Sequence, residues 1–228
     1  MIKKTGHSHY KYIIFDLDET LYPREAGLMQ ALSERMLRFM AEELGIPPDD
    51  VADIRRRYYQ KYGTTLRGLM EEHRIDPEIY LAYVHNVNLA DFLAASPPLN
   101  NMLHEIPLQK AIFTNADAAH AERVLDVLQI RFHFEQIIDI VSGGFINKPE
   151  PLAYHQALAV LGVDGDQCIM VEDTPRNLMP AKDLGMTTIL VDGAGKAGSA
   201  CIGIDYTVPT VFHVGQIVKN LLPQEGLR

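Results

Sequence analysis

The fold class this sequence predicts is α/β: a parallel, doubly wound, Rossmann-like sheet with an inserted all-helical segment. Three observations carry that expectation. Short runs rich in β-branched and aromatic residues recur along the chain, and they are continuous rather than alternating, as suits strands covered by helices on both faces. From residue 97 onward these runs alternate with helical periodicities, the signature of a parallel sheet. Between residues 24 and 92, directly after the first run, only helical periodicity is found.

In chain order, Tyr12-Ile13-Ile14-Phe15 reads as a buried first strand ending abruptly in acidic residues. Met29, Leu32, Met36, Met40 and Leu44 then recur at helical spacing, one apolar stripe on one helix. Gly45-Ile46-Pro47-Pro48 ends it, because proline lacks an N–H and disfavours helix at the residue before it. Asp49 or Asp50 can cap the next helix, which carries Val51, Ile54, Tyr58 and Tyr62 on one face. Shorter helices are expected over Leu66–His73 and Pro77–Asn86. A helix over Leu99–Glu105 leads into a strand at 109–113, a helix at 118–128 and a strand over Ile137–Val141. A helix at 151–161, a strand at 168–171, a helix at 176–184 and a strand at 187–191 continue the alternation. Asp205–Val208 reads as an edge strand and His213–Leu222 as a closing helix. The expected division is therefore a core of residues 1–23 and 93–228 with a helical insertion at 24–92.

Composition excludes several function classes. Of 228 residues, 47% are hydrophobic and 22% charged, which is a globular balance rather than a disordered one. The 30 acidic residues outnumber the 21 basic ones, a net charge of −9, so there is no polycationic footprint for a nucleic-acid polymer or an anionic membrane surface. No apolar run approaches the ~20 residues of a bilayer span, and Met1–His9 does not resemble a signal peptide. Two cysteines, Cys168 and Cys201, stand in no CxxC spacing, and Cys168 reads as inert packing in a strand. The expectation is a soluble protein of the cytoplasm.

In open α/β sheets ligands bind at the carboxyl ends of the strands. Asp16-Leu17-Asp18-Glu19-Thr20 follows the first strand and Thr114-Asn115 the second; Asn147-Lys148-Pro149 precedes the helix at 151, and Glu172-Asp173-Thr174-Pro175 closes the fourth strand. Asp16, Asp18, Glu172 and Asp173 gathered on one rim call for a cation. All these ligands are hard oxygens, with no histidine or cysteine nearby in sequence, so Mg²⁺ fits better than zinc. An oxygen-ligated Mg²⁺ beside a lysine and a hydroxyl suits a phosphoryl group. One carboxylate can attack phosphorus, and a second, two residues on, can exchange protons with the leaving group and with water. Bland alternatives stand beside these: Asp16 and Asp18 as solvated loop carboxylates, Thr114 as a cap for the helix at 118, Arg176 as a solvated helix start or a brace for Asp173.

Phe15-Asp16-Leu17-Asp18-Glu19-Thr20-Leu21-Tyr22-Pro23 with Thr114-Asn115, Lys148-Pro149 and Glu172-Asp173 resembles the four motifs of the haloacid dehalogenase-like hydrolase superfamily, in order and along the whole chain. The resemblance implies Asp16 as nucleophile, Asp18 as general acid/base, and Thr114, Asn115 and Lys148 at the phosphoryl group. It implies Mg²⁺ held by Asp16, the Asp18 backbone carbonyl and Asp173, with Glu172 bound directly or through water. It makes residues 24–92 a helical cap, with hinges at 21–25 and 90–98. Asp18 speaks against the metal-independent dehalogenase branch. A finer resemblance, to the pyrimidine 5'-nucleotidase group, rests on the first motif with Tyr62-Gly63-Thr64-Thr65-Leu66-Arg67-Gly68-Leu69, Tyr83-Val84-His85, Phe113-Thr114-Asn115-Ala116-Asp117 and Asp173-Thr174-Pro175-Arg176-Asn177. It implies a nucleoside 5'-monophosphate as the small phosphorylated substrate, with Arg67, Tyr62, Thr65 and His85 as cap contacts and Arg176 as a further substrate contact. A phosphatase or phosphomutase for another metabolite such as a sugar phosphate, and a non-catalytic phospholigand sensor, remain the alternatives.

Overall fold

The computed structural model describes residues 9–193, 195 and 203–223. Cys201 lies outside them. Six strands, β1 (Tyr12–Phe15), β2 (Gln109–Phe113), β3 (Gln136–Ile138), β4 (Cys168–Glu172), β5 (Thr187–Val191) and β6 (Tyr206–Val208), form one parallel sheet in the order β3-β2-β1-β4-β5-β6. The chain steps outward from β1 to β2 and β3, then returns to the other side of β1 with β4. The switch point therefore falls between β1 and β4, where a crevice opens at the strands' carboxyl ends.

Both faces of the sheet are covered, which is why the strands read as unbroken apolar runs. Successive β1 side chains point to opposite faces: Ile13 and Phe15 enter one apolar cluster, Tyr12 and Ile14 the other. The first cluster takes buried residues of α5 (Pro97–Glu105), α6 (Ala118–Val127) and α9 (Val214–Leu221); the second takes those of α7 (Pro151–Leu161) and α8 (Pro175–Asp183).

Between β1 and α5 the regular elements are all helical: α1 (Leu28–Glu42), α2 (Pro48–Tyr62), α3 (Thr65–His73), α4 (Pro77–Val84) and short 3₁₀ turns. Their buried side chains are continuous with the first cluster, while the helices pack chiefly against one another. No helix among the described residues is long and apolar enough to cross a membrane.

The structure departs from the sequence expectations at a few places. The α1 stripe is carried by Leu28, Leu32, Phe39 and Met40, while Met29 and Met36 are only partly buried and turn to a cavity. Neither Asp49 nor Asp50 caps α2: Pro48 starts the helix, and both aspartates sit in its first turn, where the helix dipole favours negative charge. Asp117, not Thr114, caps α6, accepting from the His120 N–H at 2.7 Å. β3 stops at Ile138 because the Asp139 carboxylate takes the Ser142 and Ala118 N–H groups and folds the chain away from the ladder.

Candidate active site

At the switch point β1 delivers Asp16 and β4 delivers Glu172 and Asp173, whose carboxylate oxygens lie within 4.8 Å of one another. The Asp16 N–H donates to Val171 O at 2.9 Å, so the chain leaves β1 still tied to β4. Lys148, just ahead of α7, is buried to 1% exposure, and its Nζ donates to Asp16 Oδ1 at 2.7 Å, Phe113 O at 2.8 Å and Glu172 Oε1 at 3.4 Å. Asn115 at the end of β2 aims this lysine: its Oδ1 accepts the Lys148 N–H at 2.8 Å and its Nδ2 donates to Lys148 O at 3.1 Å. Thr114 is buried, with its Oγ1 accepting the Ala116 N–H at 3.0 Å.

One ammonium does not balance these carboxylates, and their pKa directions register the imbalance. Burial and then the charge of Glu172 push Asp16 up to about 7, against the pull of Lys148. Burial, Glu172 and Asp16 push Asp173 up to about 9. Burial also works against an ionised Glu172, yet Lys148 and donated hydrogen bonds hold it below the ordinary range. Its two oxygens are engaged by Asn177 Nδ2 and by the Asp173 and Thr174 N–H groups at 2.7 and 3.3 Å. Burial alone would lower the Lys148 ammonium, but Asp16 and Glu172 raise it. Three close oxygen donors with a surplus of negative charge fit a hard divalent cation such as Mg²⁺, with Asp16 and Asp173 less committed to protein donors than Glu172.

Asp18 stands apart from that cluster. Its Oδ1 accepts the Tyr22 hydroxyl at 2.5 Å and lies 3.3 Å from His120 Nε2, whereas Oδ2 has no protein partner among the described residues. Burial opposes its ionisation, but His120 and Tyr22 hold it below the usual carboxylate range. A cavity of about 880 Å³ spreads from these carboxylates across α1, α2 and the turn into α3.

Of the residues expected from the cap, Thr65 and His85 line this cavity. Arg67 and Tyr62 do not: the Arg67 guanidinium pairs with Glu71 at 2.7 Å, and the Tyr62 hydroxyl donates to Glu72 at 3.0 Å. Arg176 also lines the cavity, and it neither braces Asp173 nor merely solvates its helix. It donates to Tyr59 O at 3.0 Å and Gly63 O at 2.7 Å, satisfying carbonyls at the end of α2, and stacks on the Tyr59 ring. Gly63, at φ +88°, lets that helix end close over Asn147 and Lys148, where a Cβ would stand 2.6 Å from Asn147 Nδ2.

Sequence reasoning missed His120, which the fold brings to Asp18 from 102 residues away. It also missed Arg55 and Tyr80. Both line the cavity, and Arg55 Nε and the Tyr80 hydroxyl are buried without a partner among the described residues.

Residues 10–185 match the model of the haloacid dehalogenase-like hydrolases, more than half of the chain. The chain belongs to this family. Among its relatives, Phosphate metabolism protein 8 of Saccharomyces cerevisiae is 26% identical over 195 residues, covering 79% of this chain but 61% of the yeast protein. The phosphoglycolate phosphatase of Chromobacterium violaceum is 26% identical over 226 residues, 93% of this chain and 98% of that one. Among solved structures, a HAD phosphatase from Thermococcus onnurineus superposes with a TM-score of 0.61 at 20% identity, over 91% of this chain and 97% of that chain, and shares its fold.

Proposed function

We propose that this member of the haloacid dehalogenase-like hydrolases is a Mg²⁺-dependent phosphomonoester hydrolase acting through an aspartyl-phosphate on Asp16. The observation that carries the reading is the buried Lys148–Asp16 contact of 2.7 Å inside the Asp16, Glu172 and Asp173 cluster, at the edge of an open cavity. Residues 24–92 serve as the cap over a core of residues 1–23 and 93–228.

An Asp16 oxygen attacks phosphorus and the phosphorus–ester oxygen bond breaks, with Asp18 passing its proton to the departing alkoxide. Water then attacks phosphorus, Asp18 takes back a proton from it, and the bond to Asp16 breaks to release inorganic phosphate. Lys148 orients the nucleophile and offers charge to the transferring oxygens. Thr20 steadies Asp16 Oδ2 at 3.0 Å, and Thr114 and Asn115 form the wall on which the phosphoryl group rests. Asp16, Asp173 and the Asp18 carbonyl would hold the Mg²⁺, with Glu172 bound directly or through water; when bound, the ion would offset the negative charge of the phosphoryl group.

For the substrate, the cavity of about 880 Å³ is of the size that takes a whole small molecule, which supports a nucleoside 5'-monophosphate, a pyrimidine one on the motif resemblance. The second reading, a smaller phosphorylated metabolite, draws support from the name of the Chromobacterium relative. The test is phosphate release from a broad panel of phosphomonoesters, with Mg²⁺ and with chelator, beside D16N. Metal-dependent release by the wild type and none by a folded D16N is the expected outcome. Selectivity for pyrimidine monophosphates supports the first substrate, and selectivity for sugar phosphates or phosphoglycolate the second. Turnover by D16N overturns the covalent mechanism, and no release from any ester favours a mutase or a sensor.

A further inference from the structure

We propose that His120 is a positioning residue for Asp18, holding one carboxylate oxygen so that the other is left to exchange the proton. The inference rests on the reading of Asp18 as general acid/base and goes beyond the family's motif residues. His120 sits in the first turn of α6, its side chain fully buried, with Nε2 3.3 Å from Asp18 Oδ1. Tyr22 donates to that same oxygen at 2.5 Å. Two donors on Oδ1 fix the rotation of the carboxylate. Oδ2 is then the one oxygen with no protein partner among the described residues, in a side chain that lines the cavity.

The imidazole is itself braced. Its ring stacks on His85 at 4.2 Å between centroids and 21° between planes. His85 Nδ1 lies 2.6 Å from Asp117 Oδ2, and the other Asp117 oxygen accepts the His120 N–H. Asp117 thus sets both the backbone of His120 and the ring that covers it. The Arg123 guanidinium donates to His85 O at 2.9 Å, fastening the chain after α4 to α6. His120 Nδ1 is buried without a partner among the described residues, so the polar contact this ring makes is the one to Asp18. A leucine would fill the same space without it.

The role separates by leaving group. An alkoxide needs a proton as the ester bond breaks, whereas p-nitrophenolate departs without one. kcat/KM reports capture through the departure of that group. For H120L we expect kcat/KM toward an alkyl phosphate to fall about 100-fold and that toward p-nitrophenyl phosphate to change by less than about threefold. With p-nitrophenyl phosphate the variant should release a burst of one p-nitrophenolate per site and then turn over slowly, because water activation still needs Asp18. H120Q, whose amide Nε2 reaches the same oxygen, should recover most of the alkyl phosphate activity. Its circular dichroism melt, run beside that of H120L, identifies any loss that comes from unfolding. Equal losses on both esters in folded protein, or no loss on the alkyl ester, overturn the positioning role. If the wild type cleaves neither ester, the hydrolase reading itself fails and takes this inference with it.

Discussion

Replacing Lys148 by methionine keeps the length of the side chain and removes the one cation that, among the described residues, pairs with the buried carboxylates Asp16 and Glu172. The cost can be worked from the contacts. Removing one partner of a buried ion pair destabilises a protein by about 3–5 kcal/mol, because the other charge stays behind in a poor solvent. Here the burden falls unevenly. Glu172 keeps Asn177 and two backbone N–H donors, whereas Asp16 keeps the Thr20 hydroxyl alone among side-chain donors. Asp16 can escape by taking up a proton, since its pKa is pushed up to about 7 even with the lysine present. The cost should therefore be larger at pH 8 than at pH 6 and keep growing above pH 8, since without the lysine the Asp16 carboxyl rises further. At about 2–4 °C per kcal/mol for a chain of this size, the melting temperature at pH 8 should drop by about 6–20 °C. The assay is thermal and urea unfolding of wild type, K148M, D16N and K148M/D16N with chelator present, so that no added metal replaces the lysine. In the double variant the stranded charge is gone, and it should recover about half of the K148M loss. Equal stability of K148M and the double variant at pH 8 would refute this account of what Lys148 offsets.

Other perturbations read different parts of the molecule. Asp16 and Asp173, raised to about 7 and about 9, take up protons on folding above the ordinary carboxylate pKa of ~4. Metal-free protein should therefore lose stability as pH rises from about 5 to about 9, Mg²⁺ should flatten that slope in thermal melts, and Mg²⁺ affinity by calorimetry should rise with pH. G68A should destabilise by about 1–3 kcal/mol in urea unfolding despite alanine's better helix propensity, because its Cβ would stand 2.3 Å from Cγ of the buried Tyr58 ring. R55Q should raise KM for the best ester of the panel about tenfold while kcat stays within about threefold, since Arg55 lines the cavity without a hydrogen bond or ion pair to Asp16, Asp18, Glu172 or Asp173. An unchanged KM would remove Arg55 from substrate binding.

What was legible in the sequence and what was not divides along a physical line. A strand buried on both faces must be a short apolar run, and the residue that follows it must emerge at the sheet's edge. Asp16, Thr114 and Glu172-Asp173 could therefore be placed on one rim from Tyr12–Phe15, Gln109–Phe113 and Cys168–Glu172 alone. The helical segment offers no such rule. Which face of α2 meets the cavity depends on how the helix packs, and the six arginines and tyrosines between positions 55 and 62 look alike until it is packed. With Val51 and Tyr58 buried, Ala52, Arg55, Arg56 and Tyr59 fall on the cavity side, whereas Arg67 on α3 turns to Glu71. The spacing 52, 55, 56, 59 was itself readable as a second helical face, and it was the signal that could have pointed to Arg55.

His120 shows why electrostatic reasoning from sequence proximity stops short. The acidic rim reads as a site of oxygen ligands because none of its four carboxylates has a histidine beside it in sequence, and for the Asp16, Glu172 and Asp173 cluster that remains true in the fold. But Asp18 faces the start of α6 rather than the cluster, and the first turn after Thr114-Asn115 opens on the same rim. A side chain three residues past the Asp117 cap points back over that end of the helix, where His120 meets Asp18. The two aspartates of one motif are thereby divided: burial and like charges raise Asp16 against the pull of a lysine, whereas a histidine and a phenol lower Asp18 against its burial. Two carboxylates two residues apart can take different parts in one reaction because their neighbours come from different strand ends. Those neighbours, not the motif itself, separate the two.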